Sequence, residues 1–277
     1  MFDLILRGGE VVDGTGAPRF AADVALEGER IAAVAPRIAG TAHRELVIAG
    51  RVVSPGFIDL HSHSDLLFTL PTPRQASLLG GRLRQGITTE LVGNCGYGPA
   101  PLTTQHLPLL QLVNGFITPD GAEWSWRTFA EYLAADEARR PLLIMGALVS
   151  HGAVRVAAMG MKPDLPSAEE YRAMERLIRE SIAQGAFGIS YGLIYPPGQF
   201  ARTEELVKTS AWVGAAGGFA AFHQRGSGAS TCLDAVEELI EVGRRSGCPV
   251  HHSHEEWVGP QAWGLVERVI GREEEAR

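Results

Sequence analysis

From Arg51 onward the chain repeats one pattern: a short apolar run, a loop, then an amphipathic stretch closed by glycine or a polar cap. The apolar runs fall at 52–60, 87–92, 142–149, 186–191, 219–222 and 249–253. Helical stretches are expected near 74–85, from Ser125 to about 139, from the Ser167–Glu170 capping box to Gly185, after Thr203, across 231–246 and from Pro260. Strands that alternate with helices must run parallel, because each helix carries the chain back across the sheet. The chemically reactive residues follow the strands, at the carboxyl-end face. A (β/α)8 barrel and a doubly wound sheet both place their ligands there. About six βα units are present, whereas a closed barrel has eight.

Residues 1–50 carry a different signal. Runs at 3–7, 10–12, 23–26 and 31–34 are separated by Gly8-Gly9, Asp13-Gly14 and Glu27-Gly28, which reads as short strands joined by tight turns. The segment is too short to bury a two-sheet core unaided. It is expected to be part of a small β-sandwich domain completed by chain from elsewhere. Residues 51–277 are expected to form an α/β barrel domain that stops before its last strands, so the chain looks like the front part of a longer protein.

Composition narrows the functional classes. A hydrophobic fraction of 45% over 277 residues supports a sizeable core, and a formal charge of -7 without a basic cluster argues against a nucleic-acid partner. Cys95, Cys232 and Cys248 are too few for a disulfide framework, which points to a reducing, cytoplasmic compartment. The longest apolar region, 141–161, is interrupted by His151 and Arg155 and is not expected to span a membrane. Asp3 and Arg7 break the pattern of a secretory leader.

The first strand ends in His61-Ser62-His63, flanked by Asp59 and Asp65. Side chains on a strand repeat every two residues, so both imidazoles leave on one side and can share a divalent metal. Taken alone the pair is equally a surface feature. Cys95 lies between glycines just past the second strand, where a thiolate would be a strong zinc ligand and a protonated thiol an inert one. His223 ends the fifth strand and His254 the sixth. Five ligand-type side chains at four strand ends are hard to explain by packing. Cys232, Cys248 and the deeper His252 are read as structural. His151 could reach the site, and His43 and His106 fall off the pattern.

Only two lysines are present, Lys162 in a loop and Lys208 in a helix. Neither can serve as a carboxylated lysine bridging two metals, so Cys95 is the available bridge. Metal sites of this composition activate water toward a carbonyl, which points to hydrolysis of an amide or related C–N bond. A carboxylate is the usual proton carrier, and no convincing one stands at a late strand end.

With these residues in view, the sequence resembles the amidohydrolase superfamily and, within it, the N-acyl-D-amino-acid deacylases (D-aminoacylases). The resemblance runs through 54–65, 92–96, 185–197, His223-Gln-Arg225 and Ser253-His254, nearly the whole chain. It implies a (β/α)8 TIM-type barrel with a small β domain, and one or two zinc ions (Zn2+). His61 and His63 would hold one metal position, and Cys95, His223 and His254 the tighter one. Tyr195, in Tyr-Pro-Pro, would contact substrate, with Ser190 and Arg225 as further candidates, although Tyr-Pro-Pro can also be read as a rigid loop.

Two departures stand out. The catalytic aspartate that the resemblance implies follows the eighth strand, which lies beyond this chain. Glu256 also stands where the resemblance implies a lysine, and a carboxylate there would repel an acyl-amino-acid carboxylate. The expected activity is zinc-dependent deacylation of N-acyl-D-amino acids, a small-molecule substrate, with no nucleic-acid or membrane partner and a possible C-terminal companion fragment. The alternatives are a cyclic-amide hydrolase of the hydantoinase or dihydroorotase kind, and a non-catalytic zinc-binding remnant.

Overall fold

The computed structural model describes residues 1–277. Contacts within the chain divide it into two compact units, Met1–Phe57 and Ile58–Arg277.

The first unit is a single five-stranded sheet in the order β3-β2-β1-β4, with β5 also on β1. Its strands are β1 (Phe2–Val11), β2 (Phe20–Glu27), β3 (Arg30–Ala35), β4 (Ala42–Val47) and β5 (Val52–Val53). β1 pairs antiparallel with β2 and parallel with β4 and β5. A bulge between Leu6 and Gly9 splits the buried face into two small clusters, Ile5–Ala25–Ile38 and Val11–Ala22–Val24. These residues form one sheet; a second, facing sheet is not made from them. The apolar run at 52–60 is also not one strand. Pro55 lacks an N–H and Gly56 is flexible, so the run breaks. Val52–Val53 joins β1, and β6 (Phe57–Asp59) begins a separate sheet.

Two ribbons follow. One has the order β6-β7-β8, with β7 at Ile87–Val92 and β8 at Ile144–Ala147. The other has the order β12-β11-β10-β9, with β9 at Val149–Ser150, β10 at Gly188–Gly192, β11 at Phe219–His223 and β12 at Val250–His252. Only Leu148 separates β8 from β9, and its N–H still donates to the Val92 carbonyl at 2.9 Å. The third predicted strand is therefore one passage of chain that pairs first with β7 and then with β10. Strand order follows sequence order throughout and never reverses. A doubly wound sheet requires a reversal, so the winding is of the barrel type.

The helices are α1 (Thr72–Arg84), α2 (Leu107–Val113), α3 (Phe129–Glu137), α4 (His151–Met159), α5 (Ala168–Ala183), α6 (Thr203–Gly214), α7 (Cys232–Ser246) and α8 (Val266–Ala276). The Ser167–Glu170 capping box of α5 forms as read. The second predicted helix starts later than Ser125, because Thr128 and Glu131 make the capping box. Two helices were not anticipated. α2 lies in the long loop after β7, and α4 starts directly at the end of β9 with the Ser150 hydroxyl accepting from the Ala153 N–H. Val92, Val149, Ile189, Ala220 and Phe222 on the strands pack with Leu79, Val154, Ile178, Leu206 and Val242 on the helices in one continuous core. Tyr191 and Phe222 stack at 4.3 Å within it. No helix is long and apolar enough to cross a membrane.

Candidate metal centre

Local backbone bonding fixes each donor. After β6 the Asp59 carboxylate accepts the His61 N–H at 3.0 Å, and Ser62 N–H donates to the Leu91 carbonyl at 3.1 Å. The Ser62 hydroxyl reaches the buried Glu90 carboxylate at 2.7 Å, which Arg82 neutralises from outside. Ser62 is thus held on one side and the two imidazoles are presented on the other. Their ring centroids lie 5.3 Å apart.

Cys95 sits in a turn that needs left-handed backbone at three positions, Gly93 (φ 82), Cys95 (φ 54) and Gly96 (φ 70). Two of the three are glycine, the residue that pays no steric penalty there. The turn is clamped by the Asn94 amide to the Leu91 carbonyl at 2.9 Å and by Gly96 N–H to the Ser190 hydroxyl at 3.0 Å, while Ser190 itself donates to the Gly93 carbonyl. His223 is the last residue of β11, and His254 lies two residues past β12, where Ser253 N–H still bonds to the Phe222 carbonyl at 3.0 Å.

These separate pieces bring three donors together, His61, Cys95 and His254, with His223 against the third of them. Cys95 Sγ stands 3.3 Å from His61 Nε2 and 3.4 Å from His254 Nε2, and His254 Nε2 is 2.9 Å from His223 Nδ1. Tetrahedral zinc with bonds of about 2.3 Å to sulfur and 2.0 Å to nitrogen places its ligand atoms roughly 3.5 Å apart. The spacing of the Cys95, His61 and His254 donors therefore fits zinc. His63 lies at the edge, its ring beside His61, and its Nδ1 has no partner, as is true of His61 Nδ1 and His223 Nε2.

The electrostatics of the cluster follow first from its burial. Burial, reinforced by the neighbouring imidazoles, pushes His61 and His223 down to about 4, so both rings are neutral and free to ligate at pH 7. Burial, then Glu256 and Asp65, pushes the Cys95 thiol up to about 12. A thiolate is disfavoured here until positive charge arrives. Asp65 is fully buried and burial pushes its carboxyl up to about 7.

The remaining candidates fall in different places. Tyr195 faces the site, with its ring 4.9 Å from His223 and 5.0 Å from Tyr97. Ser190 is wholly buried and its hydroxyl is consumed by the Cys95 turn. Arg225 is turned away, bound to Glu238 at 2.9 Å and to the Gln199 and Ala201 carbonyls. His151 is buried at the start of α4 against Glu205 at 2.8 Å. Lys162 pairs with Glu170, and Lys208 lies over the Tyr171 ring. Sequence reasoning missed Tyr97 and Phe116, whose rings meet at 4.6 Å and carry the aromatic wall to within 5.9 Å of His63. Tyr97, two residues past Cys95, had a positional signal. Phe116, in a separate turn, had none.

The model of the amidohydrolase family (Amidohydro_3) matches residues 48–273. An N-acyl-D-glutamate deacylase of Alcaligenes xylosoxydans xylosoxydans is 40% identical over 99% of this chain and 54% of its own length. A D-aminoacylase crystal structure superposes with a TM-score of 0.86 at 37% identity, over 100% of this chain and 56% of that one. The N-acyl-D-glutamate deacylase of Bordetella bronchiseptica, solved with zinc and a phosphonate mimic of the tetrahedral intermediate, gives a TM-score of 0.86 at 35% identity, over 100% and 56%. The chain thus spans about half the length of the relatives it matches.

Proposed function

The chain belongs to the amidohydrolase family, and from that premise we propose that it is the zinc-binding part of an enzyme that deacylates N-acyl-D-amino acids. The observation that carries the reading is Cys95 Sγ standing within 3.3 and 3.4 Å of His61 Nε2 and His254 Nε2, donors drawn from three different strand ends. His61, His63, Cys95, His223 and His254 would hold one or two zinc ions. When bound, zinc supplies Lewis acidity toward the acyl carbonyl and activates water.

The chain's own residues orient and shield. Tyr97, Phe116 and Tyr195 form an aromatic wall beside the histidines that can seat the substrate and exclude bulk water. Arg225 acts on the site only through the 199–201 backbone that it holds, and Ser190 only through the Cys95 turn. We assign proton transfer to a carboxylate outside residues 1–277. Asp65 is sealed from solvent, and the Asp59 carboxylate is used by the His61 N–H. We also infer that the sheet of residues 1–57 is one layer of a two-sheet domain, and that a C-terminal companion segment completes the barrel. A ligand thiol must stay reduced, which supports a cytoplasmic setting.

The test is zinc content by mass spectrometry for wild type and Cys95→Ser, with turnover of N-acetyl-D- and N-acetyl-L-amino acids. Wild type is expected to hold zinc that Cys95→Ser loses, and the full-length protein to release D-amino acids faster. A wild-type chain without zinc overturns the reading. Turnover by residues 1–277 alone at about 1 s⁻¹ or more, an ordinary enzymatic rate, overturns the assignment of proton transfer elsewhere.

A further inference from the structure

A second cluster of ligand-type side chains lies apart from the thiol. The His252 Nδ1 on β12 meets the Glu273 carboxylate on α8 at 2.7 Å. Glu255, just past β12, brings a second carboxylate to the same place. One donor atom from each of the three falls within 4.8 Å of the others. The His252 side chain is only 10% exposed, and its Nε2 has no partner. The one hydrogen-bond partner of its ring is the Glu273 carboxylate. The three residues line a cleft of about 840 Å³ between α7, β12 and α8.

Two carboxylates this close repel unless a cation lies between them. The nearby positive groups do not do this work. Arg272 on α8 is committed to Glu237 and Glu275. Arg244 and Arg277 line the same cleft but form no ion pair with Glu255 or Glu273. An imidazole nitrogen with two carboxylate oxygens suits a divalent ion such as Mn2+ or Zn2+, with water filling the open positions. Softer, thiophilic ions are not favoured by it.

We propose that His252, Glu255 and Glu273 form a second, thiol-free divalent-cation site that clasps α8 to the end of β12. The ion joins positions 21 residues apart in sequence. Because it binds the folded arrangement and not the unfolded chain, it stabilises the fold in proportion to its occupancy. It requires nothing of the reaction proposed above.

The probe is Mn2+, followed by the electron paramagnetic resonance of the free ion, with thermal unfolding measured alongside. Wild type whose thiol-containing centre is filled with zinc is expected to bind one equivalent of Mn2+ and to melt at a higher temperature when it is added, and Cys95→Ser is expected to keep that equivalent. Glu273→Gln and Glu255→Gln should weaken binding by roughly tenfold or more and lose the shift. Glu255 is exposed, so Glu255→Gln keeps the question open to test if Glu273→Gln folds poorly. No Mn2+ bound by wild type, equal binding by both glutamine variants, or binding that depends on Cys95 alone would each overturn the proposal.

Discussion

The Cys95 carbonyl oxygen rests against the Cα of Gly192 on β10, so closely that a β-carbon at Gly192 would overlap it. The converse also holds, since a β-carbon at Gly96 would come 2.6 Å from the Gly192 nitrogen. The thiol is thus located by backbone pressed on backbone, with no flexible side chain between to yield.

Gly192→Ala should therefore push the Cys95 turn out of place. A clash against backbone in a packed strand costs about 2–4 kcal/mol, and the sulfur should move off the histidines. Urea unfolding and the sulfur-to-metal charge-transfer band of the Co2+-loaded protein read the two effects separately. A stable variant with an unchanged band would show that the turn does not depend on this contact.

Metal binding should release about one proton at pH 8, and it should come from sulfur. Cys95 is held near 12 by burial and by Glu256 and Asp65, so it enters as a thiol. His61 and His223, near 4, are already neutral and give up nothing. Calorimetric zinc titrations in buffers of differing ionisation enthalpy count the protons. A count near zero would mean that the sulfur does not ligate or enters already as thiolate.

Asp136 on α3 is 6% exposed, and burial followed by the charge of Glu137 pushes its carboxyl up to about 7. The folded state thus holds this proton more tightly than the unfolded chain, whose value is 3.8. The resulting stability is fully present below about pH 4 and is lost as pH rises through 7. Asp136→Asn should remove that loss and be more stable than wild type at pH 8 by about 2 kcal/mol. Equal denaturation midpoints at pH 8 would count against it.

Glu205 on α6 is fully buried and accepts from both Arg155 at 2.9 Å and His151 at 2.8 Å. Arg155 in turn donates to the Lys162, Asp164 and Pro197 carbonyls, tying the Tyr-Pro-Pro loop to α4. Removing one partner of a buried ion pair strands the other, so Glu205→Ala should cost about 3–5 kcal/mol. Arg155→Ala should add little on top of it, because the two act as one unit. Additive losses would show that Arg155 holds the loop independently of Glu205.

The sequence by itself determined the parallel winding and singled out His61, Cys95 and His254, whose side chains meet, because hydrophobic period, glycine stops and strand-end histidines are local signals. Ser167–Glu170 declared its helix for the same reason. The break at Pro55-Gly56 was also written locally, but only pairing decides that Val53 joins β1 while Phe57 starts another sheet. Tertiary structure alone decided that Arg225 faces Glu238, that Ser190 serves the Cys95 turn, and that Phe116 stands beside His63. Those outcomes depend on which side chain, distant in sequence, arrives opposite, and no periodicity within one segment encodes its partner in another.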